Sequence, residues 1–473
     1  MGSQPPRSDD QRRTPGSFRD PSGFVFDRGG VLLRQVNRAY RDDYDRLVAS
    51  GLDRALIDEG LLIPHVEVDE QPAGPETAYK VIRPERVPFV SYPYEWCFGQ
   101  LKAAALLTLE IQRRALARSM SLKDASAFNV QFLGSKPVFI DSLSFEAYRE
   151  GRPWVAYRQF CRHFLAPLAV MSRVDVRLNQ LFRPSLDGIP LDLASRILPW
   201  STRFDPRLLI HIHLHSRAER VFAGDRAAAK PNAEHRAFAK SALLGLVDSL
   251  ESTIRSLKWE PSGTEWADYY DETNYTDEAT RRKLDLVGSF VDEVHPATAW
   301  DLGANTGRYS RVAAERGAST VAFDFDPACV ERNFRALGSR DDRSILPLWL
   351  DLTNPSPGLG WDHSERSSLI ERGPADLGMA LALVHHLAIS GNVPLGRVAT
   401  FLGRCCKSLI IEFVPKGDSQ VNRLLASRVD VFDDYTREGF EATFAGTFAI
   451  ERAEPIAGTE RTLYLMQARS RPD

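Results

Sequence analysis

Asp301-Leu302-Gly303-Ala304-Asn305-Thr306-Gly307, followed seventeen residues later by Asp324, decides the fold of this chain. Ala297 to Trp300 is a short, mostly apolar run and reads as a buried strand that ends at Asp301. Gly303 and Gly307 let the backbone turn tightly and approach a ligand with no Cβ in the way. Arg308 to Arg316 continues as a helix with Tyr309, Val312 and Ala313 on one face, and Gly317 ends it. Val321-Ala322-Phe323 is the next strand. It carries Asp324 to the same sheet edge, where a carboxylate can accept both hydroxyls of a ribose.

The spacing separates two kinds of cofactor. A dinucleotide site wants G-x-G-x-x-G, so that a pyrophosphate can sit on the helix N-terminus. Here the pattern is D-x-G-x-N-x-G, with an acid at the loop mouth that repels phosphate and suits a cationic amino-acid group. S-adenosylmethionine carries that group and a ribose, and no phosphate. The segment resembles motif I of class I S-adenosylmethionine-dependent methyltransferases.

Further landmarks follow in that family's order. Leu346 to Leu350 reads as a strand ending in Asp351, an acid that resembles the family's acceptor for the adenine amino group. Ala375 to Leu383 is similar to its fourth strand and leads into His385-His386-Leu387. Ser408 to Pro415 resembles the fifth strand. Phe432 to Phe440 and Arg461 to Met466 resemble the closing helix and the final antiparallel hairpin. The resemblance spans roughly Trp266 to Arg469 and implies a seven-stranded Rossmann-like α/β sheet. It implies that Asp301, Gly303, Asn305, Gly307, Asp324 and Asp351 bind S-adenosylmethionine. Ahead of the motif, an amphipathic helix carries Leu284, Val287 and Val291 on one face. The preceding Trp266, Tyr269, Tyr270 and Tyr275 can close over the cofactor or simply anchor that helix on the sheet.

Composition bounds the rest. A chain of 473 residues is too long for one ordinary core. A hydrophobic content of 43% and a net charge of -3 describe a globular protein with no nucleic-acid footprint. The five cysteines, at 97, 161, 329, 405 and 406, have neither metal nor disulfide spacing, which points to a reducing cytoplasm and no metal. No apolar run approaches a membrane span or a signal core. Met1-Gly2 invites a myristoylation reading, but Pro6 stands where Ser or Thr is wanted. His211, His213 and His215 would share one face of a strand and could then bind metal. Pro206 to Glu219 reads equally well as a helix, which scatters them.

The expected organisation is a disordered tail over 1–17, an α+β accessory domain over 18–222, a linker and helix over 223–260, and the methyltransferase domain over 261–470. The linker rests on Arg226 to Glu234, small, charged and broken by proline. In the accessory domain, Phe24 to Phe26 and Val31 to Leu33 around Gly29-Gly30 read as a hairpin. Val36 to Ser50 reads as a helix stopped by Gly51. Leu61 to Val68 and Val87 to Ser91 are strand-like, and Leu101 to Ala117 is a long helix. Asp124, Asn129 and Asp141 follow in D-x-x-x-x-N order with a later acid. They resemble the catalytic acid and metal ligands of the protein-kinase-like fold. Leu122-Lys123 and Ser142-Leu143 depart from that family's pattern, and its glycine-rich loop and V-A-I-K lysine are missing, with Arg34 and Lys80 no more than candidates for the lysine's place. Asp124 and Asn129 fit an ordinary turn as well.

These residues point to a methyltransferase in which catalysis is mainly placement of an acceptor against a sulfonium methyl, in a site closed to water. His385 or His386 would remove the acceptor's proton, or else the pair is structural. The absence of an Asn/Asp-Pro-Pro-Tyr/Phe motif after the fourth strand, where Ala380 to Leu383 stands, favours a small-molecule or glycan acceptor. Over its whole length the chain is loosely similar to large bacterial methyltransferase-like proteins that include a host-specific nodulation group. Alternatives are a bifunctional phosphotransferase–methyltransferase, or an N-terminal unit that binds a partner protein and presents its substrate.

Overall fold

Gly29 and Gly30 both adopt positive φ (60° and 83°), which a two-residue hairpin turn of matching twist requires. They join β1 (Gly23–Arg28) to β2 (Val31–Asn37). Strands β3 (His65–Glu67) and β4 (Ala78–Pro84) complete an antiparallel sheet of order β1-β2-β4-β3. Phe24, Phe26, Leu33 and Val81 pack in one cluster, and Val36, Tyr40, Tyr44 and Ile82 in another. The computed structural model describes residues 13–217, 239–261, 276–340, 342–426 and 428–469. The Arg226–Glu234 connection, the aromatic segment 266–275 and residues 1–12 of the tail lie outside them.

The chain divides into two units. The first comprises residues 13–132, 137–260 and 359–366, and the second residues 133–136, 261–358 and 367–469. Besides its sheet, the first unit holds the long Phe98–Ala117 helix and two short strand pairs: β5 (Met120–Leu122) with β8 (Phe145–Ala147), and β6 (Val130–Leu133) with β7 (Lys136–Phe139).

Several sequence expectations for this unit are corrected. The helix expected from Val36 begins at Arg41, because Val36 and Asn37 pair with Lys80 and Ala78 of β4. β4 itself went unread, its alternation blurred by Lys80 and Arg83. Val87 to Ser91 forms no strand: Pro88 has no N–H to give a ladder, and Ser91 N–H donates to Gln131 Oε1 (2.9 Å). Residues 13–17 are not tail, since Thr14 N–H donates to Val25 O (2.9 Å) and Arg13 lies over the Phe24 ring. The helix expected within 223–260 runs over Lys240–Ser256, and Arg113 of the long helix holds its Asp248 and Glu251 (2.9 and 2.5 Å).

The second unit is built on seven strands: β9 (Thr298–Leu302), β10 (Ser319–Asp324), β11 (Ile345–Trp349), β12 (Ala375–Ala380), β13 (Cys406–Phe413), β14 (Phe448–Pro455) and β15 (Thr462–Ala468). Their order is β11-β10-β9-β12-β13-β15-β14. The first five run parallel, while β15 is antiparallel to β13 and to β14. Apolar residues fill both faces of the parallel strands, as sheets covered on two sides require. Thr276 caps the Asp277–Val294 helix by accepting the Ala279 N–H. That helix presses Leu286, Val287, Phe290 and Val291 onto Ala299, Leu377, Met379 and Ile410. The closing helix runs over Arg437–Phe444 rather than from Phe432, because Thr436 provides the cap, accepting Gly439 N–H (3.0 Å). The order reverses at β9, between β10 and β12, and ligands of such sheets bind in the crevice beyond the strand ends at that point.

Candidate cofactor and acceptor site

The loop leaving β9 is fastened to β10: Gly303 and Ala304 N–H both donate to Phe323 O at 2.9 Å. Gly303 and Gly307 adopt φ of 80°, and Asn305 adopts 51°, a left-handed conformation that asparagine tolerates better than most residues. A Cβ on Gly307 would stand 2.5 Å from Asn333 Nδ2. Asn305 shapes the loop by turning its Oδ1 onto Thr306 N–H (2.7 Å). Its own N–H donates to Asp324 Oδ2 (2.7 Å), and Asp326 N–H donates to Asp324 Oδ1 (2.8 Å). The glycine loop therefore holds one oxygen of Asp324, and the backbone of Asp326 holds the other.

A cavity of about 520 Å³ opens over these strand ends, within the range of small-ligand sites. Asp301, Gly303, Asn305, Asp324 and Asp351 line it. Gly307 does not. Asp301 is buried and accepts the Ser310 hydroxyl (2.6 Å). Burial pushes its carboxyl up to about 6, against the pull of Ser310 and Lys283. Burial likewise pushes Asp324 up to about 7, despite its two backbone N–H donors. Asp351 is exposed, and its Oδ1 is turned back onto Thr353 N–H and Oγ1 (2.8 and 2.7 Å). Phe325, half exposed, and the apolar Leu350 and Leu352 also line the cavity. Two buried, proton-hungry carboxyls and an apolar slot suit a ligand bringing an ammonium, a diol and a flat ring. These residues thus fit S-adenosylmethionine in charge and in space.

The histidine pair divides. His386 lines the cavity, whereas His385 is not among the lining residues and is buried. Burial, aided by Arg461, pulls His386 down to about 4. Burial and the neighbouring His386 hold His385 well below the usual range. Both rings, 4.2 Å apart, are neutral near pH 7. The turn after β12 buries His385 and leaves His386 half-buried against the cavity.

Three residues at the site escaped the sequence reading. Lys283, side chain 4% exposed, lines the cavity and donates to Glu412 Oε2 at 2.7 Å. Arg461 reaches Glu412 Oε1 at 3.4 Å and Asp418 at 2.8 Å. The signals were present: a lysine in phase with Val287 and Val291, and a glutamate inside an otherwise apolar strand.

In the first unit, Asp124, Asn129 and Asp141 do come together. Asn129 Nδ2 donates to Ser144 Oγ (3.2 Å), which donates to Asp141 Oδ2 (2.7 Å). Burial and the nearby Asp141 raise Asp124, while Ser126, Gln159 and Asn129 hydrogen-bond to it. Arg34 stands 2.5 Å from Asp141. Burial alone would raise Asp141, but Arg34, Ser144 and the Leu143 N–H outweigh it and hold it below the usual carboxylate range. The three histidines lie on a helical segment, as the helix reading required. His211 meets Tyr157 and Ser249 hydroxyls, His213 meets those of Ser195 and Thr202, and His215 stacks on Tyr157.

No family model matches the chain. It is 36% identical over 461 residues, 96% of each chain, to the nodulation protein NoeA of Rhizobium meliloti (strain 1021). Among solved structures, it is similar to WbdD in complex with the kinase inhibitor LY294002, with 20% identity over 39% of this chain and 40% of that one and a TM-score of 0.28. It is also similar to the magnesium protoporphyrin IX methyltransferase ChlM of Synechocystis PCC 6803 with bound SAH, with 14% identity over 42% of this chain and 91% of that one and a TM-score of 0.30. The strand order and the single antiparallel insertion make the second unit a class I methyltransferase fold, and over its full length the chain belongs to the family of the nodulation protein NoeA.

Proposed function

We propose that this protein is an S-adenosylmethionine-dependent methyltransferase acting on a small-molecule or glycan acceptor, with the first unit recognising that acceptor. The observation that carries the reading is the pair Asp301 and Asp324, two buried carboxyls raised to about 6 and 7 on one cavity wall at the sheet's reversal point. When bound, the cofactor supplies an electrophilic methyl on a sulfonium. Asp324 accepts the ribose hydroxyls, Asp301 the ammonium, and Phe325 with Leu350 and Leu352 excludes water from the ring. Asp351, half committed to its own turn, contributes least. His386, neutral at working pH and lining the same cavity, accepts the proton of the acceptor hydroxyl or amine; His385 packs behind it. Calorimetric titration of the full chain tests this. S-adenosylhomocysteine should bind at micromolar strength and NAD should not, and the reverse result overturns the reading.

The clustering of Asp124, Asn129 and Asp141 favours a kinase-like scaffold for the first unit. Arg34 pairs with Asp141 at 2.5 Å, and the sequence has no V-A-I-K lysine for the phosphates, so we propose that this scaffold performs no phosphoryl transfer. ATP with magnesium should give no heat of binding, and micromolar binding would reinstate a bifunctional phosphotransferase.

A further inference from the structure

Arg162, Arg183 and Arg366 are half-buried cations of the first unit, and each encloses an Nε that has no hydrogen-bond partner. Among the described residues, none of these arginines forms an ion pair. Arg366 Nη1 donates to Glu365 O at 2.9 Å, and Arg162 Nη2 reaches Gly188 O only at 3.5 Å. Acids adjoin the group in the chain and pair with none of its members. Glu365 holds Arg19 at 2.5 Å, buried Glu95 accepts the Tyr92 N–H at 3.0 Å, and Asp187 is exposed. Elsewhere in the same unit arginines are matched: Arg113 meets Glu110, Asp248 and Glu251, and Arg114 meets Glu59 and Glu110.

One aromatic cluster gathers these cations. The Arg366 guanidinium lies 4.3 Å from the centre of the Phe128 ring, and that of Arg183 lies 5.8 Å from the centre of the Tyr94 ring. Tyr92 links those rings, 5.3 Å from Tyr94 and 6.4 Å from Phe128. Phe128 in turn meets the His163 ring edge-on at 6.1 Å. His163 follows Arg162 in the Cys161–Leu165 segment, is 3% exposed, and has an Nδ1 with no hydrogen-bond partner. Burial, with Arg162 and Arg366 adding to it, pulls His163 down to about 3. Burial lowers Arg366 as well, against the pull of Tyr92, Glu365 and Tyr94. An aromatic face returns part of the hydration that a guanidinium loses, but a desolvated cation with unbonded donors stays costly until an anion meets it.

We infer that Arg162, Arg183 and Arg366, together with His163, form a binding site for an oxyanion, a phosphate or carboxylate group carried by the ligand of the first unit. An oxyanion supplies the acceptor atoms that these arginines lack, and guanidinium forks match the oxygens of either group. The neutral imidazole adds a donor from one of its ring nitrogens. The inference extends the acceptor-recognition role proposed for the first unit by making that acceptor anionic, and it needs nothing of the cofactor site.

The test is thermal unfolding of the full chain, titrated with inorganic phosphate, with acetate and with chloride at matched ionic strength. Phosphate or acetate should raise the wild-type midpoint saturably, by about 3–6 °C at ten times the dissociation constant, while chloride should not. Whichever of the two acts at lower concentration identifies the oxyanion. Arg183→Gln and Arg366→Gln should each shift that titration to about 10- to 150-fold higher concentration, the range for a hydrogen bond between charged groups. Without added anion, both variants should unfold at or above the wild-type midpoint, because each removes a cation that no carboxylate balances. Arg54→Gln, whose side chain is 80% exposed, should titrate as the wild type does. Identical wild-type midpoints in phosphate, acetate and chloride overturn the inference, whatever the variants do. So does a phosphate effect that the Arg162→Gln, Arg183→Gln and Arg366→Gln proteins all keep in full, since that is general salt exclusion or an adventitious ion only. S-adenosylhomocysteine affinity, measured on the same samples, should stay within about threefold in the variants, so failure of the cofactor reading is seen separately.

Discussion

Replacing Asp324 with asparagine keeps the side-chain volume and removes the charge that the ribose hydroxyls are proposed to meet. Asp324 is 6% exposed and already accepts two backbone N–H groups, yet burial leaves its carboxyl at about 7. Two hydroxyl donors favour the ionised form, so binding should release a proton below neutrality. At pH 6 about a tenth of the carboxyl is ionised, and ligand binding then bears about 1.4 kcal/mol to complete the ionisation. The affinity for S-adenosylhomocysteine should accordingly rise about tenfold between pH 6 and pH 8 and level off there. Asp301, at about 6, adds a second and shallower step at the acid end. Asp324→Asn should weaken binding at pH 8 by about 1.5–3 kcal/mol, the worth of charge-assisted bonds, and flatten the profile between pH 6.5 and 8. Calorimetry in two buffers of different ionisation enthalpy measures affinity and proton release together. An Asp324→Asn variant with wild-type affinity at pH 8, or a wild-type profile flat from pH 6 to 8, would refute the reasoning. The sign for folding is opposite: the native carboxyl holds its proton at higher pH than the unfolded one. Its contribution to stability is therefore present at low pH and lost as pH rises from about 4 to about 7.

Asp326 accepts Ala328 N–H at 2.8 Å and caps the Pro327–Gly338 helix. Asp326→Ala should cost about 1 kcal/mol in denaturant unfolding and alter S-adenosylhomocysteine affinity less than Asp324→Asn does. A larger affinity loss at Asp326 would exchange the roles of the two acids. Arg34→Ala leaves Asp141 without the cation at 2.5 Å and should destabilise the protein by about 3–5 kcal/mol. Thermal unfolding checks this, with Arg34→Lys expected to recover part of the loss. His386, pulled to about 4, should show no ring titration above pH 5 by NMR. Because its native value lies below the unfolded one, stability should fall as pH drops from about 6.5 towards 4.

The sequence by itself determined the second unit. Its glycine loop, its two strand-end acids and the apolar runs of β9 to β13 are local signals, and buried parallel strands carry them without interruption. Asp301, Asn305 and Asp324 were readable one by one because each occupies a strand end or a turn whose backbone demands it. Elsewhere, long-range pairing overrode local pattern. β4 alternates poorly on its own and exists because β2 and β3 flank it, and Val36 left its helix for the same reason. Tertiary structure alone decided that His386 and not His385 reaches the cavity, since two adjacent residues are separated only by the turn that follows β12. It also made Lys283, Glu412 and Arg461 one network. They stand 129 and 49 residues apart in the chain, and burial turns an unremarked helical lysine into a group whose charge must be matched. Sequence shows which residues carry charge; the fold sets which of those charges are out of water, and there their electrostatic consequences are largest.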